Sequence, residues 1–142
     1  MSTSVDEFLQ LKKVVFNGKK ADLLAYINEY PGGGDALLAT IFGTMPEFFN
    51  AEKARGQSAN FQYRITTDSG PQEFYVKVHE GAVETGPGAV ENPRVTLSAK
   101  LPEFCRVLTG KLNGMQAFLT GKVKLSGDMF AATKFETWFE RP

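Results

Sequence analysis

The stretch Ala117-Phe118-Leu119-Thr120-Gly121-Lys122-Val123-Lys124-Leu125-Ser126-Gly127-Asp128 holds three element boundaries in a row. Gly121 closes a short helix, because glycine enters the left-handed region without a Cβ penalty. Lys122–Ser126 then alternates, with Val123 and Leu125 on one side and Lys122 and Lys124 on the other, which is the period of a half-buried strand. Lysines on the wet side of an edge strand discourage pairing with another chain. Gly127 breaks the strand, and Asp128 is placed to cap a last helix. On the upstream side, Asn113 can cap a short helix whose apolar face is Met115, Phe118 and Leu119. On the downstream side, the last helix carries Phe130, Ala131, Phe135, Trp138 and Phe139.

Further upstream, Leu101, Phe104, Cys105 and Leu108 form a helical stripe, with Pro102 in its first turn and Gly110 after its end. Before it the period is two. Phe61, Tyr63 and Ile65 share a face in Ala59–Thr66, with Asn60, Gln62 and Arg64 on the other. Asp68-Ser69-Gly70-Pro71 is a turn. Phe74, Val76 and Val78 share a face in Glu73–Glu80, and Ala82–Thr85 and Arg94–Ser98 read as short strands. Gly86-Pro87-Gly88 is expected to break the chain.

The first third is helical. Ser4-Val5-Asp6-Glu7 reads as a capping box for a helix with Phe8, Leu11 and Val15 inward, stopped by Asn17-Gly18. A second helix at about 19–30 carries Leu23, Leu24 and Ile27. Pro31-Gly32-Gly33-Gly34 is expected to be a loop, followed by a helix capped by Asp35 with Leu37, Leu38, Ile41 and Phe42 inward, ending near Pro46. The order predicts an α+β domain: a five-stranded, mainly antiparallel sheet covered on one face by helices.

Composition fits a globule that needs no staple, with 42% apolar and 23% charged residues in 142. Phe is unusually frequent, at twelve against four Tyr and one Trp. Such side chains build either a bulky core or the wall of an apolar cavity. The balance of 16 basic and 16 acidic residues lacks the positive field of a nucleic-acid binder, so no nucleic-acid partner is expected. The charge is unevenly spread: Arg94–Lys124 holds six bases and one acid, and Asp68–Glu91 holds five acids and one lysine. Such a dipolar surface suits transient contact with an anionic membrane, or simply a solvated face.

The usual reaction groups are sparse. His79, the one histidine, falls on the polar side of a strand. Cys105, the one cysteine, lies on an apolar stripe and reads as a core hydrophobe. Two such residues cannot make a Cys/His zinc site. Gly32–Gly34 precedes an acid rather than Gly-Lys-Ser/Thr, so it is no phosphate loop. No cofactor, metal or catalytic residue is assigned. Met1–Phe8 contains no apolar block and no run approaches the ~20 residues of a membrane span, so a cytoplasmic protein is expected.

Leu108-Thr109-Gly110-Lys111-Leu112 and the run Ala117–Asp128, together with Phe61-Gln62-Tyr63-Arg64-Ile65-Thr66 and Val95-Thr96-Leu97-Ser98, resemble the sterol carrier protein-2 family. The resemblance covers about residues 36–142. It implies an apolar tunnel between sheet and helices that takes a sterol, fatty acid, fatty acyl-CoA or phospholipid. Carried onto this chain, it implies a lining of Met115, Phe118, Leu119, Phe130, Phe135, Trp138 and Phe139, with Phe74 and Val76 from the sheet. Leu119 stands where many relatives have Met. The chain ends Glu140-Arg141-Pro142 with no peroxisomal tripeptide. Residues 1–35 lie outside the match, as a helical extension that caps the tunnel, docks a partner or builds a homodimer. Three functions follow for test: a non-catalytic lipid carrier, an accessory module that presents a lipid to a partner enzyme, and a lipid-directed enzyme using an isolated acid.

Overall fold

The computed structural model describes residues 3–142. Three helices come first: α1 (Thr3–Asn17), α2 (Lys20–Glu29) and α3 (Gly33–Thr44), the last running into a 3-10 turn at Met45–Phe48. Strands β1 (Ala59–Thr67), β2 (Gly70–His79), β3 (Ala82–Pro87) and β4 (Val95–Lys100) follow. Then come α4 (Leu101–Leu108), α5 (Gly114–Leu119), β5 (Val123–Gly127) and α6 (Met129–Thr137). Strand order is β3-β2-β1-β4-β5.

Three of the four ladders are antiparallel, and β1 pairs with β4 in parallel. The sheet is therefore mixed, with the parallel pair at its centre. In register, Phe61 lies opposite Val76 and Val95, and Tyr63 opposite Phe74 and Leu97. Directly opposed residues share a face, so these side chains form one apolar layer. Helices lie against it, and Phe61, Ile65, Val76, Val78 and Val95 are all buried. The last strand, β5, is a sheet edge, and both Lys122 and Lys124 are exposed there.

Two expected caps form. Asn113 accepts from the Met115 and Gln116 amides at 2.8 and 3.3 Å, and Asp128 accepts from the Ala131 amide at 3.1 Å. Others do not. Ser4 lies inside α1, and its hydroxyl donates across the fold to Glu47 at 2.5 Å. Helix α3 starts at Gly33 after Gly32 in the left-handed region (φ 90°), so two of the three glycines are helical. Asp35 is thereby moved into the first turn, where it accepts from the Thr67 hydroxyl instead of capping. Leu24 is exposed while Leu23 and Ile27 are buried. Strand β3 continues through Gly86 to Pro87, because Pro87 sits at its end, where a missing N–H costs little.

Gln62 also departs from expectation. Alternation places it on the wet face, yet it is buried. Its amide nitrogen lies 3.1 Å from both Glu73 Oε2 and the Phe74 carbonyl and 3.2 Å from the Gly88 carbonyl. Its oxygen accepts from the Val90 amide at 2.8 Å. The loop between β3 and β4 folds back across this face, and Gln62 pins it.

Helices α1 and α2 belong to the common core: Leu11, Val15, Leu23 and Ile27 cluster with Phe42, Tyr63 and Phe135. The C-terminal tail closes the fold. The Asn50 amide donates to Trp138 O and the Glu140 amide to Phe48 O, each at 2.7 Å, and Lys12 Nζ reaches the Pro142 carbonyl at 3.0 Å. Among the described residues no helix is long and apolar enough to cross a membrane.

Candidate functional site

The helical layer does not meet the sheet everywhere. Between them lies a cavity of about 360 Å³, within the range of small-molecule sites. Its floor is the inner face of the sheet: Phe61 and Tyr63 from β1, Val95 and Leu97 from β4, Val123 and Leu125 from β5. These are alternate residues of three strands, so the period of two that was read from the sequence builds the floor directly. The roof comes from Phe8 and Leu11 of α1, Leu37 and Ile41 of α3, Phe104 and Leu108 of α4, and Phe135 and Phe139 from α6 and the tail.

The sequence-predicted lining residues separate into four groups. Met115, Phe135 and Phe139 border the cavity. Phe74, Val76 and Trp138 are in the core outside its wall. Phe74 stacks on Phe42 with centroids 4.6 Å apart, and Trp138 sets its edge against Phe135 at 5.9 Å. Phe118 packs with Val107, Ala117 and Val123 in a small separate cluster. Leu119 and Phe130 face solvent, at 74% and 82% exposure. Ala117 is the fully buried residue of α5. In so short a helix, packed through a small residue, Leu119 at the C-terminus swings outside.

Most of the roof was not anticipated. For Phe8, Leu11, Leu37, Ile41 and Phe104 the helical period predicts an inward direction and nothing more. No periodicity distinguishes an inward residue that meets another from one that meets a void. Tyr63 is likewise assigned only a face of its strand, and Glu136 has no assignment.

Polar side chains also reach the wall. Thr44 donates to the Thr40 carbonyl at 2.9 Å and Tyr30 to the Thr40 hydroxyl at 3.3 Å, so the protein itself satisfies them. Glu140 accepts from Asn50 Nδ2 at 2.8 Å, with Lys53 Nζ at 3.8 Å. Arg141 donates through Nε to the Leu108 carbonyl at 3.1 Å. Glu136 is held against Gly114: a Cβ on that glycine would lie 2.2 Å from Glu136 Oε1, so the missing side chain makes room for the carboxylate. Desolvation raises the Glu136 pKa above the usual carboxylate range, against a smaller lowering by Arg141. Burial raises the Tyr63 phenol too, and the nearby Glu136 charge adds to it.

The groups most often used in catalysis are elsewhere. His79 is exposed at the end of β2. Cys105 is fully buried in the core, its thiol pushed up to about 12 by desolvation, so at neutral pH it is a protonated, enclosed hydrophobe.

Comparison with known proteins agrees with this architecture. Sterol carrier protein 2 of Arabidopsis thaliana is 36% identical over 62 residues, covering 44% of this chain and 50% of its own. Peroxisomal multifunctional enzyme A of Dictyostelium discoideum is 41% identical over 59 residues, covering 42% of this chain but 13% of the enzyme. The chain thus spans half or less of these curated relatives. The solution structure of palmitated SCP2L2 from Aedes aegypti superposes with a TM-score of 0.55 at 26% identity, over 72% of this chain and 90% of that one. The model of the SCP-2 sterol transfer family matches residues 44–140, which include the whole sheet and the α4–α6 part of the cavity roof; this chain belongs to that family.

Proposed function

We propose that this protein binds a lipid in the cavity between sheet and helices and carries it without chemical change. The observation that supports this reading most is the cavity itself: about 360 Å³ walled mainly by Phe, Leu, Ile and Val side chains of both layers. Such a wall holds an acyl chain without any polar motif. Burial contributes ~0.8 kcal/mol per methylene, so about ten methylenes offer ~8 kcal/mol before ordering costs. Met115, Phe135 and Phe139 contact the ligand in this reading, beside Phe61 and Phe104. Residues 1–35 act as an extension that closes the cavity on its α1–α2 side, where Phe8, Leu11 and Tyr26 border it.

The test is a titration of delipidated protein with a pyrene-labelled long-chain alcohol, read by emission of Trp138. That indole lies 6.1 Å from Phe61 and 5.9 Å from Phe135, both on the wall. Saturable binding at micromolar or lower concentration is expected. A delipidated sample that takes up neither this probe nor a labelled fatty acid or sterol overturns the reading.

One observation favours a second role. The match to the Dictyostelium enzyme covers a small part of that protein, so a domain of this kind can serve beside a catalytic one. In that role the cavity presents a lipid to a partner enzyme. Pull-down with the full-length chain and with a Leu9→Ser/Leu24→Ser variant, changed at two exposed residues of α1 and α2, separates the roles: lost partner capture with unchanged lipid binding supports the accessory one.

A further inference from the structure

The cavity wall carries two polar groups without a hydrogen-bond partner among the described residues, and the charge of one, Glu136, acts on the other, Tyr63. Tyr63 is 7% exposed and borders the cavity. No described residue accepts from or donates to its phenol. Glu136 borders the same cavity, in the space left open by Gly114, and its carboxylate has no hydrogen-bond donor among the described residues either. Tyr63 is a buried residue and Glu136 a partly buried one, so once a ligand displaces water from the cavity each polar group must find its partner in that ligand.

From this placement, and resting on the lipid-binding reading above, we propose that Tyr63 and Glu136 form the head-group end of the cavity and select an uncharged, hydroxyl-bearing lipid over a fatty-acid anion. A hydroxyl is both donor and acceptor. It can accept from Tyr63 O–H and donate to the Glu136 carboxylate, satisfying both groups at once. A fatty-acid carboxylate only accepts, and would bring a second negative charge beside Glu136 in a desolvated space. An ammonium head group only donates, and would leave Tyr63 O–H unmet.

The charged and titratable groups around Glu136 point the same way. Among the described residues the wall holds Glu7 from α1, Tyr26 from α2, Tyr30 just after it, Tyr63 from β1, and Glu140 and Arg141 from the tail, with no lysine or histidine. Arg141 is the one cation of the wall among the described residues. It is exposed, and its Nε is committed to the Leu108 carbonyl. Three carboxylates against one guanidinium make the wall unfavourable for an anionic head. The other Tyr/Glu neighbours, Tyr26 and Glu7, are more exposed, so water serves them.

Competition against the pyrene-labelled alcohol on delipidated full-length protein at pH 8 tests this, with dodecan-1-ol, dodecanoate and dodecylamine as competitors. Dodecanol is expected to displace the probe at a concentration at least about tenfold below dodecanoate. Glu136→Gln, which keeps the shape and removes the charge, is expected to shrink that ratio to about threefold or less by improving dodecanoate. Tyr63→Phe, which keeps the ring, is expected to weaken dodecanol by about three- to tenfold and leave a chain without a head group unaffected. Thermal unfolding of both variants checks that they are folded. Equal displacement by dodecanol and dodecanoate, a ratio unmoved by Glu136→Gln, or dodecylamine as the strongest competitor overturns the proposal. So does a preference for dodecanoate that Arg141→Gln abolishes. These outcomes leave lipid binding standing, whereas failure of the probe itself to bind removes both readings.

Discussion

Phe42 and Phe139 belong to the same hydrophobic core but to regions packed in opposite ways. Around Phe42 the core is solid. The ring is 1% exposed. It stacks on Phe74 at 4.6 Å and Phe104 at 5.7 Å, nearly parallel to both, and lies 5.1 Å from Tyr63. Around Phe139 the core is hollow. That ring is half-buried, tilted against Phe135 and Phe49 at 5.1 and 5.4 Å, and borders the void. Tyr63 on the central strand and Phe104 on the cavity roof join the two regions: both contact Phe42, and Tyr63 also lies 6.2 Å from Phe135. Abundant Phe therefore does not dictate a filled or an open interior. The distance at which the facing helix is held decides it, and here the tail pairing of Phe49 with Phe139 holds the hollow end.

The contrast can be broken most severely at Phe42. Phe42→Ala is expected to cost about 3–5 kcal/mol in urea unfolding, because its close neighbours cannot collapse into the space. A loss under about 1.5 kcal/mol would show that the solid end is not solid. Filling the hollow end should have the reverse signature. Ala132→Leu adds bulk at a residue on the cavity wall and is expected to change stability by less than about 1 kcal/mol while weakening probe binding at least about tenfold. Added bulk in a filled core typically costs about 1–3 kcal/mol, and a cost of that size would argue that no usable void exists.

Glu136 sharpens the comparison through pH. Its pKa is raised in the fold by desolvation, so between the unfolded and folded values the native state binds the extra proton. Stability from this group then falls as pH rises through that window. Glu136→Gln is expected to raise the melting temperature at pH 8 and to leave it unchanged near pH 4, below both values. An equal effect at both pH values would place the carboxylate in water. The smallest effect belongs to Phe130, at 82% exposure. Phe130→Ser should shift unfolding by no more than about 0.5 kcal/mol and leave probe binding intact, whereas lost binding would make this ring part of the ligand path.

Much of the fold was legible because it is written in short-range chemistry. Asn113 and Asp128 cap their helices from adjacent residues, and the alternation of Phe61, Tyr63 and Ile65 or of Phe74, Val76 and Val78 needs only the pleat. The errors fall where distant segments meet. Asp35 accepts from Thr67, Ser4 donates to Glu47, and Gln62 is covered by the loop at Gly88–Val90. Each partner lies more than twenty residues away. For the cavity, the apolar residues of α6 and α5 were legible as such, but Phe130 and Leu119 ended outside and Phe104 and Ile41 on the wall.

From its amino acids alone this chain was committed to an α+β fold with a five-stranded sheet, a lysine-flanked edge at β5 and a Phe-rich interior. Period, caps and side-chain polarity act within a turn or a strand. Tertiary structure alone decided that β1 and β4 run parallel, that the helices stand off at one end of the sheet, and that Tyr63 and Glu136 share the resulting space. Those outcomes depend on how far apart facing layers are held. That separation is set by contacts such as Phe49 with Phe139, between residues far apart in the chain.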